Sequence, residues 1–157
     1  MISKKDRTLP LEGRVALVTG GAGAIGAATL AADNTPAAMD LRGYDGAEIV
    51  LAIGAGGITF SGSNKIEFKL THSNDDASYE PVNKGDVLGA DEIGTGGIIK
   101  ALVAAHATAG VYRFGYVGAK RYVKLLAAFS GTHGSGTPIA GVVIRGHGQI
   151  NPQAAQA

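Results

Sequence analysis

The chain has 157 residues, a formal charge of +1, 25 glycines and no cysteine. The length suits one domain with a real core, and the missing cysteine removes disulfides, thiolate catalysis and zinc–thiolate sites together. A near-neutral charge without a basic block argues against electrostatic binding of nucleic acid, and no apolar run approaches the length of a membrane span.

Glycine stands at about twice its usual share of about 7%, which weakens helices and favours turns, bulges and short strands. Residues 1–14 are polar with one proline and carry Lys4, Lys5 and Arg7. They read as an arm. Met1 to Arg7 is charged but no apolar core follows it, so no signal peptide is expected.

Arg14-Val-Ala-Leu-Val-Thr-Gly-Gly-Ala-Gly-Ala-Ile-Gly26 pairs an apolar strand with a glycine-rich turn. Gly20, Gly23 and Gly26 have a spacing that resembles the nucleotide-binding turn of the extended short-chain dehydrogenase/reductase family. The resemblance implies an NAD(P) site, with the pyrophosphate against a helix N-terminus. The context argues otherwise. Ala27 to Ala32 runs into Asp33-Asn34-Thr35-Pro36, where proline would stop a helix after about two turns. The ribose-binding acid, expected about 20 residues on, has Asp40 as its one candidate, and Asp40 precedes the next clear strand. The alternative is two short strands flanking an Asn34-Thr35-Pro36 turn, with no cofactor.

From Ala47 onward the pattern is strand-like. Glu48 to Ile53 is a β-branched apolar run ended by glycines. Lys65 to Thr71 alternates strictly, with Ile66, Phe68 and Leu70 on one side and Lys65, Glu67, Lys69 and Thr71 on the other. One dry and one wet face predict an antiparallel sheet, not a helix-covered parallel one. Ser73 to Asp76 reads as a turn; its two aspartates lack calcium-loop spacing. Val87 to Gly97 reads as a loop, and Ile98 to Ala109 fits a helix or a strand.

In Val111 to Phe129, Tyr112, Phe114 and Tyr116 alternate with Val111, Arg113 and Gly115. After Gly118-Ala119, Arg121, Val123 and Leu125 alternate with Tyr122, Lys124 and Leu126. This predicts a central hairpin turning at Gly118-Ala119. Gly131 to Pro138 reads as a loop, Ile139 to Arg145 as a last strand and 151–157 as a tail. The expected fold class is all-β: an antiparallel sandwich or barrel-like domain over 39–150, preceded by an arm and linking strands over 1–38.

Tyr116 and Lys120 have the Y-x-x-x-K spacing of a dehydrogenase acid–base pair. Across a turn they would not share a helical face, so both are expected to be structural and the protein non-enzymatic. His72, His106, His133 and His147 show no metal-ligand spacing and are expected on the surface or in turns. Gly131 to Gly136 offers an anion nest, but no helix-forming sequence follows it. Lys120, Arg121 and Lys124 make a local basic patch.

Asp40 to Tyr44, Glu48 to Gly54, Lys65 to Leu70 with its acidic turn and Tyr79, Tyr112 to Val123, and Val143 to Gly146 together resemble small tailed-bacteriophage virion proteins of the head decoration, or cement, type. The resemblance implies a β-sheet protein without catalytic residues. Its expected partners are the major capsid protein and further copies of itself, with no nucleic acid and no membrane. It implies location on the capsid surface, after assembly in the host cytoplasm. The expected contact residues are Lys4, Lys5 and Arg7 on the arm and Lys120, Arg121 and Lys124 on the domain. A dehydrogenase-like fragment is one alternative; another is a carbohydrate-binding module with aromatics such as Tyr44 and Tyr79 along one face.

Overall fold

Period-two alternation in this chain becomes ten β-strands in a computed structural model that describes residues 25–148. They are β1 (Ile25–Leu30), β2 (Met39–Asp40), β3 (Tyr44–Ile53), β4 (Lys65–Ser73), β5 (Glu80–Pro81), β6 (Val87–Leu88), β7 (Ile98–Leu102), β8 (Gly110–Tyr116), β9 (Tyr122–Ser130) and β10 (Thr137–Gly148). A 3-10 turn at Lys84–Asp86 is closed by a reciprocal cap between Asn83 and Asp86.

The strands form two antiparallel sheets of five. The first has the order β1-β10-β3-β8-β6; in the second, β2-β9-β4 is completed by β5 and β7, both paired to β4. The fold is a sandwich whose sheets do not close into a barrel. Only β4 and β5 are both consecutive in sequence and paired to each other. Every other connection among these ten strands carries the chain from one sheet to the other.

The core lies between the inward faces. Ile49, Leu51 and Ile53 of β3, Phe114 and Tyr116 of β8 and Ile139 of β10 face Ile66, Phe68 and Leu70 of β4 and Val123, Leu125 and Ala127 of β9. The alternation predicted for Lys65 to Thr71 is present: its apolar residues are fully buried and its polar ones half-exposed.

One expectation is corrected and two alternatives are resolved. The predicted hairpin of Val111 to Phe129 does not form: β8 pairs β3 and β6, whereas β9 pairs β2 and β4. Each strand has its own apolar face to bury, and facing each other across the core buries both. The turn at Gly118-Ala119 is therefore a crossover between sheets. Ile98–Leu102 resolves to a strand on the edge of β4. The segment after Gly26 is a strand too, the alternative that Pro36 favours: Ile25–Leu30 pairs with β10 and buries Ile25.

The long loops on either side of β3–β4 and β9–β10 meet at Gly57 and Gly136. Gly136 has φ +81°, and a Cβ on Gly57 would fall 1.8 Å from the Gly136 carbonyl oxygen. Only glycine permits this contact. The histidine expectation also fails in part: His72 and His133 are buried. The ring of His133 packs edge-on to Phe129 with centroids 4.7 Å apart, and its Nε2 is 2.8 Å from the Ser130 carbonyl.

Candidate functional site

The crossover Val117–Arg121 leaves β8 at Tyr116 and enters β9 at Tyr122, and it is fixed from below by its own first aromatic. Gly118 lies so close over the Tyr116 ring that a Cβ there would come within 2.7 Å of the hydroxyl. That hydroxyl accepts the backbone N–H of Lys120 at 3.2 Å and lies 2.9 Å from Nδ1 of His72 on β4. The other ring nitrogen of His72 is 3.4 Å from Oε1 of Glu80 and 4.0 Å from Oδ2 of Asp86. Glu80 also accepts Nζ of Lys120, at 3.1 Å. The Asp86 carbonyl accepts the N–H of Val117 at 2.8 Å.

These contacts close a ring running from Lys120 N–H through Tyr116, His72 and Glu80 and back to Lys120 Nζ. The Tyr116 hydroxyl and Nδ1 of His72 share one hydrogen bond, and Nε2 of the same ring faces the Glu80 and Asp86 carboxylates. Burial is the main cause that pushes the Tyr116 phenol up to about 12; the Lys120 N–H opposes it, and the Asp86 and Glu80 carboxylates add to it. A phenol used as an acid–base needs the opposite shift. Tyr116 and Lys120 straddle a turn, not a helical face, and the contact joining them is hydroxyl to backbone. Beside the ring opens a cleft of about 760 Å³, lined by His72, Lys84, Asp86, Thr95 and Lys120 among others.

The three expected domain cations sit together at the crossover and the start of β9, each held by an acid of the chain. Arg121 grips Asp40 with two bonds, Nε to Oδ1 at 2.9 Å and Nη2 to Oδ2 at 2.6 Å. That guanidinium is the main reason the Asp40 carboxyl is lowered to about 2. Lys120 is paired to Glu80. Lys124 lies 3.8 Å from Oδ1 of Asp76 and 3.8 Å above the ring of Tyr79, whose hydroxyl donates to the same Asp76. Burial first, then Asp76, pushes the Tyr79 phenol well up.

The result is a mixed-charge surface in which lysine, arginine and tyrosine are held in place, not the basic patch expected. Lys4, Lys5 and Arg7 lie outside the described residues. Asp75 is turned inward on its own loop, accepting Ser73 Oγ and the N–H groups of Ala77 and Ser78, and the Ser73 hydroxyl leads in holding its carboxyl far below the usual range. Tyr44 and Tyr79 each have a cation over one ring face, Arg145 at 4.8 Å and Lys124 at 3.8 Å, so neither presents that face to a sugar.

His72, Glu80 and Asp86 were not among the expected site residues. A signal for His72 existed: it continues the buried series Ile66, Phe68, Leu70 by one further step of two. Glu80 and Asp86 carry none, since they reach His72 only through a loop. Among the described residues, no group of three His, Asp or Glu is placed to hold a metal ion, and no helix is long and apolar enough to cross a membrane. No family model, curated protein or solved structure matches this chain.

Proposed function

We propose that this chain is a non-enzymatic structural protein of a tailed-bacteriophage virion, which binds the outer capsid surface and other copies of itself and so stiffens the shell. The observation that carries the reading is the preset polar surface at the crossover. Arg121, Lys120 and Lys124 are held by Asp40, Glu80 and Asp76, and Tyr79 and Tyr122 lie against two of those cations. Arginine and tyrosine, with tryptophan, are the residues most enriched at binding hot spots. Holding them in place before contact lowers the ordering cost of association. The segments that resemble head decoration proteins cover most of β3, β4 and β8, the start of β9 and part of β10, strands from both sheets.

Co-sedimentation with capsids assembled from the major capsid protein of the same phage tests the reading. Full-length protein is expected to saturate the shells. Removing residues 1–14 is expected to abolish binding, and the double change Arg121→Ala, Lys124→Ala to weaken it. Occupancy that is the same for all three proteins would sink the proposal.

A further inference from the structure

The two sheets treat solvent differently. On the outside of the second, β4 presents Lys65, Glu67, Lys69 and Thr71, as a wetted antiparallel face should. The outside of the first is mostly apolar. Strand register sets its residues in three rows: Ile144, Glu48, Gly115 and Leu88; then Val142, Val50 and Arg113; then Ala140, Ala52 and Val111. Leu88 is 58% exposed, Val111 67% and Ile144 47%. A shallow groove of about 490 Å³ runs over this face, floored by Gly115 and bordered by Leu88, Val117 and Ile144.

Asp45 and Arg145 line one end of the groove, and amid the apolar residues of the three rows stand one acid and one base, Glu48 and Arg113, diagonal neighbours in the register. Arg113 Nε is 3.8 Å from Glu48 Oε1, and their side chains are 74% and 48% exposed. Such a loose pair contributes little within one molecule.

We propose that this face docks a second copy of the chain, face to face about a two-fold axis. The inference rests on the self-association in the function proposed above, but not on capsid binding. A two-fold axis lying in the contact plane between Glu48 and Arg113 sets each arginine over the other copy's glutamate, so the surface complements itself in charge as an isologous interface must. The surrounding valines, leucine and isoleucine then exclude water from the crossed pairs. The three long strands β10, β3 and β8, at about 4.8 Å spacing and some seven residues at about 3.4 Å rise, make a strip of roughly 14 by 24 Å, widened at its flanks by β1 and the two-residue β6.

Sedimentation equilibrium on the full chain tests the proposal, with melting curves confirming that each variant is folded. The wild type is expected to dimerise. Glu48→Arg and Arg113→Glu are each expected to weaken dimerisation at least about tenfold, by setting like charges opposite each other, and the double reversal to restore it. Val111→Asp is expected to give a monomer. A chain that is monomeric at every concentration overturns the proposal, as does a dimer or larger oligomer indifferent to both reversals. Single reversals that disrupt without rescue in the double overturn the crossed geometry. Loss of capsid binding with the dimer intact counts against the proposed function alone.

Discussion

The hydroxyl of Tyr116, the last residue of β8, lies 2.9 Å from Nδ1 of His72 on β4, a polar bond that links the two sheets beside their apolar core. Both residues are buried, at 1% and 4% exposure. The bond therefore fixes how one sheet sits on the other and anchors the crossover that carries Lys120 and Arg121.

Replacing Tyr116 by Phe removes that hydroxyl and leaves His72 Nδ1 and the Lys120 N–H without it. A loss of about 1–3 kcal/mol is expected, measured as a shift in the urea midpoint at neutral pH. The effect should also depend on pH. The folded phenol titrates at about 12 against an ordinary 10.0. The stability it contributes is complete below pH 10 and is lost as pH rises toward 12. The wild type's advantage over Tyr116→Phe is expected to shrink across that window; a constant difference would show that burial does not hold the phenol neutral.

The Asp40–Arg121 pair makes a prediction at the acid end. Asp40 is lowered from 3.8 to about 2, chiefly by the Arg121 guanidinium. Its contribution is present above pH 3.8 and disappears as pH falls through 2. The side chains are 41% and 38% exposed, so the pair is expected to stabilise by no more than about 1 kcal/mol. Carboxyl-detected NMR titration should place Asp40 near 2 in the wild type and back near 3.8 in Arg121→Ala.

The contact between Gly57 and Gly136 is predicted to tolerate no side chain. Gly57→Ala puts a methyl 1.8 Å from a backbone oxygen and is expected to cost roughly 3 kcal/mol or more, because two loops must separate. Gly62→Ala, where the added atom meets nothing within 4 Å, should stay within about 0.5 kcal/mol. Equal melting temperatures for the two variants would refute the close approach.

Folding is expected to be slow for the chain's size. With β4–β5 as the one pair of consecutive strands that hydrogen-bond, nearly every pairing must close a long loop before it is rewarded, which places refolding in the range of roughly milliseconds to seconds. Stopped-flow refolding in about the microsecond range, as seen for proteins rich in local contacts, would contradict the topology.

Much of the fold is legible in the sequence because β-strands announce themselves locally. Ile66, Phe68 and Leu70 alternating with charged residues marks β4 and its inward face with no tertiary information. Phe114 and Tyr116, and Val123, Leu125 and Ala127, do the same for β8 and β9. Pro36 correctly warns against a helix after Gly26. The six cations expected to bind a partner stand out in the sequence by charge alone, and charge in one dimension cannot show that Asp40, 81 residues before Arg121, supplies the opposite sign.

By itself, the sequence determined that the fold class is antiparallel β and, for the long strands β3, β4, β8, β9 and β10, where they run and which side is dry, whereas the short edge strands β5, β6 and β7 carry too few alternating residues to be read. Those properties follow from the two-residue repeat of a single strand. Tertiary structure alone decided which strands are neighbours. Strand pairing is a backbone interaction indifferent to side-chain identity, so an apolar face is satisfied equally by a hairpin or by the opposing sheet. The choice of the opposing sheet turned Gly118-Ala119 from a hairpin tip into a crossover, brought His72 under Tyr116, and left the outer face of the first sheet apolar and open.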